Sequence, residues 1–259
     1  MPELPRITII TPSFNQGDYI EQTLQSVLAQ QYPNLEYLVI DGGSRDKTLD
    51  VLYRYAGRVQ FLSEPDRGQS HAINKGLDLA SGEIVAYLNS DDLLEPGCLM
   101  KVGRFFLDRP QAFWLSGRCR IIDASGREVR RSITRYKNLW LATGSRPALA
   151  ILNFISQPAT FWRRTAFQRV GYFVEHWHYA MDYDYWLRLA GQYRLWTLPD
   201  VLANFRVHPA SKGGTGVAAQ FQEDLSVARS HKISPLLLGL HALHNALILN
   251  IYRLLQRGS

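Results

Sequence analysis

The chain has 259 residues, 46% of them hydrophobic and 20% charged, with a net charge of +6. That length and composition bury a substantial core and read as one soluble globular domain with a small appendage. Cys98 and Cys119 are the only cysteines, which excludes a disulfide framework and a Cys-x-x-Cys zinc site and makes reduced thiols the expectation.

Met1 runs almost at once into the apolar segment Ile7 to Thr11, leaving no room for a cleavable leader, so a cytoplasmic location is expected. The positive charge is concentrated: residues 101–170 carry 14 Lys or Arg against 3 Asp or Glu, while the rest carries 15 against 20. Such a patch suits nucleic acid, an anionic membrane surface or a phosphorylated substrate, and a solvated face explains it equally well. With no zinc-finger spacing, ribonucleoprotein-type aromatic motif or basic recognition helix, no nucleic-acid partner is expected.

Along the first hundred residues strand-like and helix-like segments alternate, the pattern of a parallel sheet covered by helices. Arg6 to Thr11 reads as a buried strand. Asp18, with Glu21 three residues on, resembles an N-cap before a helix whose apolar face is Ile20, Leu24, Val27 and Leu28. Strands are expected at Leu35 to Asp41, Val59 to Glu64 and Ile84 to Asn89, and helices at Thr48 to Ala56 and His71 to Ala80. After Asp92 the alternation weakens. Cys119 to Arg130 reads as a hairpin around Ser125-Gly126, Ser156 to Arg163 and Leu195 to His208 as further strands, and Asp184 to Ala190 as a helix, so the sheet should become mixed. One domain to about residue 230 is the simplest division, followed by a helical segment over 231–259.

In open α/β sheets ligands sit outside the carboxyl ends of the strands. Here those ends are polar: Thr11-Pro12-Ser13-Phe14-Asn15, Asp41-Gly42-Gly43-Ser44, Glu64-Pro65-Asp66-Arg67-Gly68 and Asn89-Ser90-Asp91-Asp92. Neither a dinucleotide glycine turn nor a P-loop occurs, so a nucleotide must be held differently. Asp41 is suited to accept hydrogen bonds from a base or ribose, and equally to cap a tight turn. Adjacent carboxylates at the end of an apolar strand are costly unless a cation relieves them, and oxygen ligands of this kind suit Mg²⁺ or Mn²⁺. An acidic first turn of a helix is the simpler alternative.

The ordered set Thr11-Pro12-Ser13 with Asn15, Asp41-Gly42-Gly43-Ser44 with Asp46 and Thr48, Gly68 with Ala72, Asn74 and Gly76, and Asn89-Ser90-Asp91-Asp92 resembles glycosyltransferase family 2 over roughly residues 6 to 212. The resemblance implies a GT-A (Rossmann-like) α/β fold, with a nucleotide-sugar-binding half to about residue 100 and an acceptor half over about 101–230. It implies a nucleotide diphosphate sugar donor, preferably UDP-linked, and Mn²⁺ or Mg²⁺. By it, Thr11, Pro12 and Ser13 line the nucleotide pocket with Asn15, Asn74 and Ser90 nearby, Asp41 binds the base, Arg67 and Gln69 lie near the diphosphate, and Asp91 holds the metal. The family's metal motif usually opens with Asp. Here Asn89 takes that place and is left with a hydrogen-bonding role.

In the acceptor half, Met181-Asp182 stands where the family often has Glu-Asp, so Asp182 is implied as the catalytic base of an inverting transfer. On the residues alone, Asp182 and Asp184 serve as well to complement a helix dipole. Arg206, His208 and Ser211 match an Arg-x-His-x-x-Ser stretch of the family, which implies His208 as a second metal ligand, and Lys212 to Gly216 reads as a loop that closes over the donor. Gln157, Trp177, His178 and Tyr179 are placed near a sugar or lipid-linked sugar acceptor, although aromatics at such positions more often belong to a core.

Ile233 to Tyr252 runs for 20 residues without Asp, Glu, Lys or Arg. Leu236, Leu240, Leu243, Leu247, Ile251 and Leu254 form one helical stripe, with His241, His244, Asn245 and Asn250 off it, which argues for an amphipathic helix over a membrane span. The stripe is expected to pack on its own domain. A second subunit (a homodimer) and the membrane surface are the other burials, the latter favoured by Arg229, Lys232, Arg253 and Arg257. Assembly of a cell-surface polysaccharide or glycolipid is the expected setting. The rival readings are a non-catalytic sugar- or nucleotide-binding scaffold on the same fold and a sugar nucleotidyltransferase, which typically brings a basic glycine-rich loop where Thr11 to Gly17 stands here.

Overall fold

The computed structural model describes residues 3–209, 211 and 216–257. A nine-stranded mixed sheet organises the chain, with strands in the order β3-β2-β1-β4-β8-β6-β9-β5 and β7 paired to β6. The first half alternates as expected: β1 (Ile7–Ser13), α1 (Ile20–Leu28), β2 (Leu35–Asp41), α2 (Thr48–Arg54), β3 (Gln60–Ser63), α3 (Gln69–Leu79) and β4 (Ile84–Tyr87), with β1 to β4 all parallel. There follow β5 (Leu93–Leu94), α4 (Cys98–Asp108), β6 (Trp114–Ile122), β7 (Glu128–Val129), α5 (Arg131–Thr143), α6 (Arg146–Ile151), a 3₁₀ turn at Gln157–Ala159, β8 (Thr160–Arg163), α7 (Arg164–Val170), α8 (Met181–Gln192) and β9 (Leu195–Arg206). Two helices close the chain, α9 (Val217–Ser230) and α10 (Pro235–Arg257).

Neighbouring residues of a strand face opposite sides of a sheet, so β1 and β2 feed two cores. Ile9 and Val39 pack with Ile20, Leu24, Val51 and Phe106 on one face. Ile10 and Leu38 pack with Ile73, Leu77 and the aromatic group Trp114, Trp162 and Trp186 on the other. The sheet turns mixed at β8, which lies antiparallel between β4 and β6, and β9 then runs parallel to β6 and antiparallel to β5. That last pairing matters for function, because it draws the end of β9 against the segment that follows β4.

Some local expectations fail. Asp18 does not cap α1, whose N-cap is Tyr19 with no side-chain hydrogen bond. The Asp18 carboxylate pairs with Lys47 Nζ at 2.6 Å and Glu21 with Arg54 at 3.0 Å, so charge pairing with the next helix displaces the capping box. By contrast, the helix read with Asp182 and Asp184 at its start runs over Met181–Gln192, with both carboxylates in the first turn.

The leucine stripe of α10 is not buried on its own domain. Leu236, Leu243 and Leu247 are more than half exposed, whereas His241 and Asn245 are 1% and 7% exposed. His241 Nδ1 meets the Ala150 carbonyl at 3.0 Å and Asn245 Nδ2 donates to the Phe221 carbonyl at 3.1 Å, so the hydrogen-bonding face turns inward. Ile251 and Leu254 lie outside the residues whose side chains are described, as do those of Arg253 and Arg257. Among the described residues no helix is long and apolar enough to cross a membrane. Cys98 and Cys119 are free and buried, and burial pushes the Cys119 thiol up to about 12.

Candidate active site

The loops after β1 and β2 hold each other. Asn15, at φ 52°, donates from its backbone N–H to Ser44 Oγ at 2.7 Å and accepts from the Arg45 N–H at 2.9 Å. Gln16 N–H reaches Thr48 Oγ1 and Gly17 N–H reaches Asp46 Oδ2, both at 2.9 Å. Asp41 is fully buried. Its Oδ2 accepts from Gly43 N–H, Ser44 N–H and Ser63 Oγ, and its Oδ1 from Ser44 Oγ. The carboxylate therefore shapes the loop from within. Gly43 adopts φ 82°, a conformation costly for other residues, and a Cβ on Gly42 would lie 2.7 Å from Asp66 Oδ2. Of the residues expected to line a nucleotide, Thr11 is bonded to Tyr37 OH at 3.1 Å, Pro12 and Ser90 are buried, and Ser13 is buried with its Oγ unpartnered.

The segment after β4 is the centre of the site. Asn89 Oδ1 accepts from Gln69 Nε2 at 2.6 Å, and Asn89 Nδ2 donates to Asp92 Oδ2 at 3.1 Å and Gln157 Oε1 at 3.3 Å. Gln157 Nε2 in turn donates to the Tyr87 carbonyl at 2.6 Å. Asn89 and Gln157 thus form part of one amide network at the strand end. Asp92 is fully buried, and that burial, with the Asp91 charge beside it, pushes its carboxyl well above the usual carboxylate range. Asp91 keeps an exposed edge, and its Oδ2 lies 3.0 Å from His208 Nε2 across 117 residues of sequence.

Arg206 fixes that approach. It is 1% exposed. Its backbone N–H donates to Asp92 Oδ1 at 2.8 Å, its Nε to the Asp91 carbonyl at 2.7 Å, and its terminal nitrogens to the Asp123 and Ala124 carbonyls and to Gln22 Oε1. Each nitrogen of the guanidinium has at least one acceptor, which is what a charge at this depth requires. Tyr19 lies under the Arg206 guanidinium and also packs on the His208 ring, with centroids 4.4 Å apart. Ser211 Oγ closes the turn by donating to the His208 carbonyl at 2.8 Å.

One carboxylate oxygen and one imidazole nitrogen converging on a single point fit a Mn²⁺ or Mg²⁺ ion whose other positions are taken by diphosphate oxygens and water. Among the described residues no group of three or more His, Cys, Asp or Glu is placed to hold a metal ion.

Asp182 stands at the first turn of α8. Met181 beside it takes a hydrogen bond from Ser70 Oγ at 2.8 Å, which docks the start of α8 on the start of α3. Burial pushes the Asp182 carboxyl up, against the Lys137 cation and hydrogen bonds from Tyr183 N–H and Asn153 that lower it. Lys137 comes from α5, half-buried, with Nζ donating to the Ile155 carbonyl at 3.2 Å. Asp224 of α9 is also buried in this neighbourhood, with Oδ1 unpartnered. Burial, then the Asp182 charge, pushes Asp224 well above the ordinary range. Sequence reasoning missed Lys137, Asn153 and Asp224. The available signal was a single acidic residue on the apolar face of α9 and a lysine within a stretch without acids.

Other expected site residues make contacts within the protein. Arg67 makes a bidentate pair with Glu175, 2.8 Å on each arm, at the surface. Asn74 uses both ends of its amide on the Phe173 backbone, at 2.9 Å each, and so clamps α3 to the loop before α8. The backbone N–H groups of His178 and Tyr179 donate to the Glu223 carboxylate, Trp177 packs partly against the core, and the Tyr179 ring abuts Gly216. Lys212 to Thr215 lie outside the described residues. A cavity of about 310 Å³ lined by Trp114, Leu149 and Leu195 is set apart from all these groups.

A parallel α/β half whose strand ends carry Asp41 and Asp91, joined to a mixed half carrying Asp182 and His208, is the GT-A fold of glycosyltransferases. Residues 8–171 match glycosyl transferase family 2, and the chain belongs to that family. It is 40% identical over 118 residues to the putative teichuronic acid biosynthesis glycosyltransferase TuaG of Bacillus subtilis, covering 44% of this chain and 46% of the relative. It is 27% identical over 170 residues to the poly-beta-1,6-N-acetyl-D-glucosamine synthase of Staphylococcus epidermidis, covering 64% of this chain and 41% of that one. The match thus spans less than half the length of either relative. Among solved structures, the mannosyltransferase PcManGT from Pyrobaculum calidifontis in complex with GDP-Man and Mn²⁺ superposes with a TM-score of 0.69 at 25% identity, covering 94% of this chain and 69% of that one. S. aureus TarS 1–349 in complex with UDP-GlcNAc superposes at 0.65 with 21% identity, covering 87% and 66%.

Proposed function

We propose that the protein moves a sugar, with inversion, from a nucleotide diphosphate sugar to an acceptor hydroxyl in the assembly of a cell-surface polysaccharide or glycolipid. The observation that carries the reading is the 3.0 Å approach of His208 Nε2 to Asp91 Oδ2 at the carboxyl end of β4. The names of TuaG and the poly-N-acetylglucosamine synthase support the setting, and the UDP-GlcNAc bound by TarS favours a UDP-linked donor.

In this reading the nucleotide lies over the loops that Asp41 and Asn15 hold in shape, and Asp91 and His208 hold Mn²⁺ or Mg²⁺. The ion, when bound, neutralises charge on the leaving diphosphate. Asn89, Gln69 and Gln157 form a polar floor beside the anomeric carbon. Asp182 takes the acceptor proton as the hydroxyl attacks, and its desolvation makes it a stronger base than a free carboxylate. Trp177, His178 and Tyr179 form the acceptor side.

Thermal unfolding with a panel of nucleotide sugars, with and without Mn²⁺, tests the assignment. The matching donor should raise the midpoint of the wild type more with metal than without. Asp91→Ala should lose the metal-dependent part, while Asp182→Asn keeps it and loses about 10²–10⁴-fold in turnover. A donor that stabilises Asp91→Ala as well as wild type in the presence of Mn²⁺ removes Asp91 from the metal site. Donor binding without turnover for any acceptor favours the scaffold reading.

A further inference from the structure

The outward face of α10 is apolar over three turns. Leu236, Gly239, Leu240, Leu243, Ala246 and Leu247 all look to solvent, and the four leucines are 74%, 41%, 57% and 55% exposed. Soluble monomers rarely leave such a stripe open, and the partners of the helix's other face are already made, so it is not a helix awaiting docking on its own domain. The stripe continues onto α5, where Tyr136 OH meets His244 at 3.1 Å and Leu139, one turn on, is 68% exposed. Arg130, Arg131 and Arg135 are exposed beside it.

The charge around this surface has one sign. Arg130, Arg131 and Arg135 are its exposed cations on and before α5, residues 129–174 contain no Asp or Glu, and none occurs after Asp224 in this sequence. The nearest acids are spent: Glu223 on the backbone amides of residues 178–180, Asp224 in the interior, and Glu128 on Arg131 at 3.3 Å.

We infer that this α10–α5 face is an interfacial docking surface for an anionic lipid bilayer, with the leucine stripe lying among the acyl chains and the α5 arginines against the headgroups. A basic rim around an apolar stripe is the pattern such a surface uses. A second copy of this chain is a poorer occupant, because a two-fold contact sets the same patch against itself and opposes arginine to arginine. The orientation also has a use. The inner side of α5 carries Lys137, whose Nζ donates to the Ile155 carbonyl and whose charge acts on Asp182, so the bilayer would lie about one helix diameter, roughly 10 Å, from that lysine.

Vesicle binding needs no donor or turnover, so it is tested separately from the transfer reaction. The full chain is sedimented with vesicles of phosphatidylcholine alone and of an equimolar mixture with phosphatidylglycerol, alongside analytical ultracentrifugation without lipid. Strong partition to the anionic vesicles, weak partition to the neutral ones and a fall with added salt are expected. Leu240→Gln with Leu243→Gln should lower partition at least about tenfold, and Arg135→Gln about fivefold. All three positions are exposed, so the melting midpoint should hold and separates lost binding from lost folding. Absence of binding to anionic vesicles, wild-type binding by the leucine variant, or a dimer that this variant dissociates overturns the assignment.

Discussion

Lys137 is the side chain whose removal says most about the base. As the proposed base, Asp182 would have to be ionised to accept a proton, and its ionised fraction grows as pH rises through its pKa. Burial raises that pKa and the Lys137 cation opposes the rise. Lys137→Met should therefore move the acid limb of the pH–rate profile to higher pH, lowering the rate on the acid side and sparing the plateau above it. Lys137→Arg should restore the limb in part. An unmoved limb in Lys137→Met would separate Lys137 from the base. Asp91, His208 and Asp182 stand out through the family resemblance because each sits in a short ordered pattern, and the structure brings His208 to Asp91. Lys137 and Asp224 escaped because their contacts exist only once α5 and α9 close over the start of α8, and nothing in their local spacing records that. Arg67 and Asn74 show the converse: a motif position fixes where a residue sits, yet Glu175 and the Phe173 backbone decide what it touches.

Among the elements, the segments with strong period were legible almost to the residue, and β2 over Leu35–Asp41 is one of them. Its alternating neighbours feed both cores, so no other register buries them all. α5 was not, since Thr134 and Leu141 are its only buried residues and leave little amphipathic pattern to read. The position of β4, from which Asn89 to Asp92 hang, depends on a close backbone approach at its start. A Cβ on Gly82 would come within 2.5 Å of Thr8 Oγ1, 2.7 Å of Thr8 N and 2.9 Å of the Ile84 carbonyl. Backbone atoms of the central strands cannot yield as a side chain can. Gly82→Ala should cost about 1–3 kcal/mol in urea unfolding, and a neutral result would show that the strand shifts freely.

For the molecule as a whole, α10 is fastened by hydrogen bonds in place of a greasy seam. Leu238 and Ile233 pack on the core, and His241 and Asn245 bind the Ala150 and Phe221 carbonyls. Ending the chain after Lys232 should lower the melting midpoint by roughly 5–15 °C, from two buried hydrogen bonds and partial leucine burial. An unchanged midpoint in calorimetry would mean that the helix contributes no stability. The Asp91–His208 contact has a different kind of consequence, one of timing. The family match ends at residue 171, before α8 and β9, and 117 residues separate the two partners. On a ribosome adding about 5–20 residues per second, roughly 6–23 s pass between them. Through that interval the chain lacks Arg206, whose backbone N–H and Nε seat Asp92 and Asp91 in the folded protein. On the proposed reading, competence for a cation would come only when β9 pairs with β5 and brings Arg206 and His208 to Asp91, and chains ending before residue 208 should bind none.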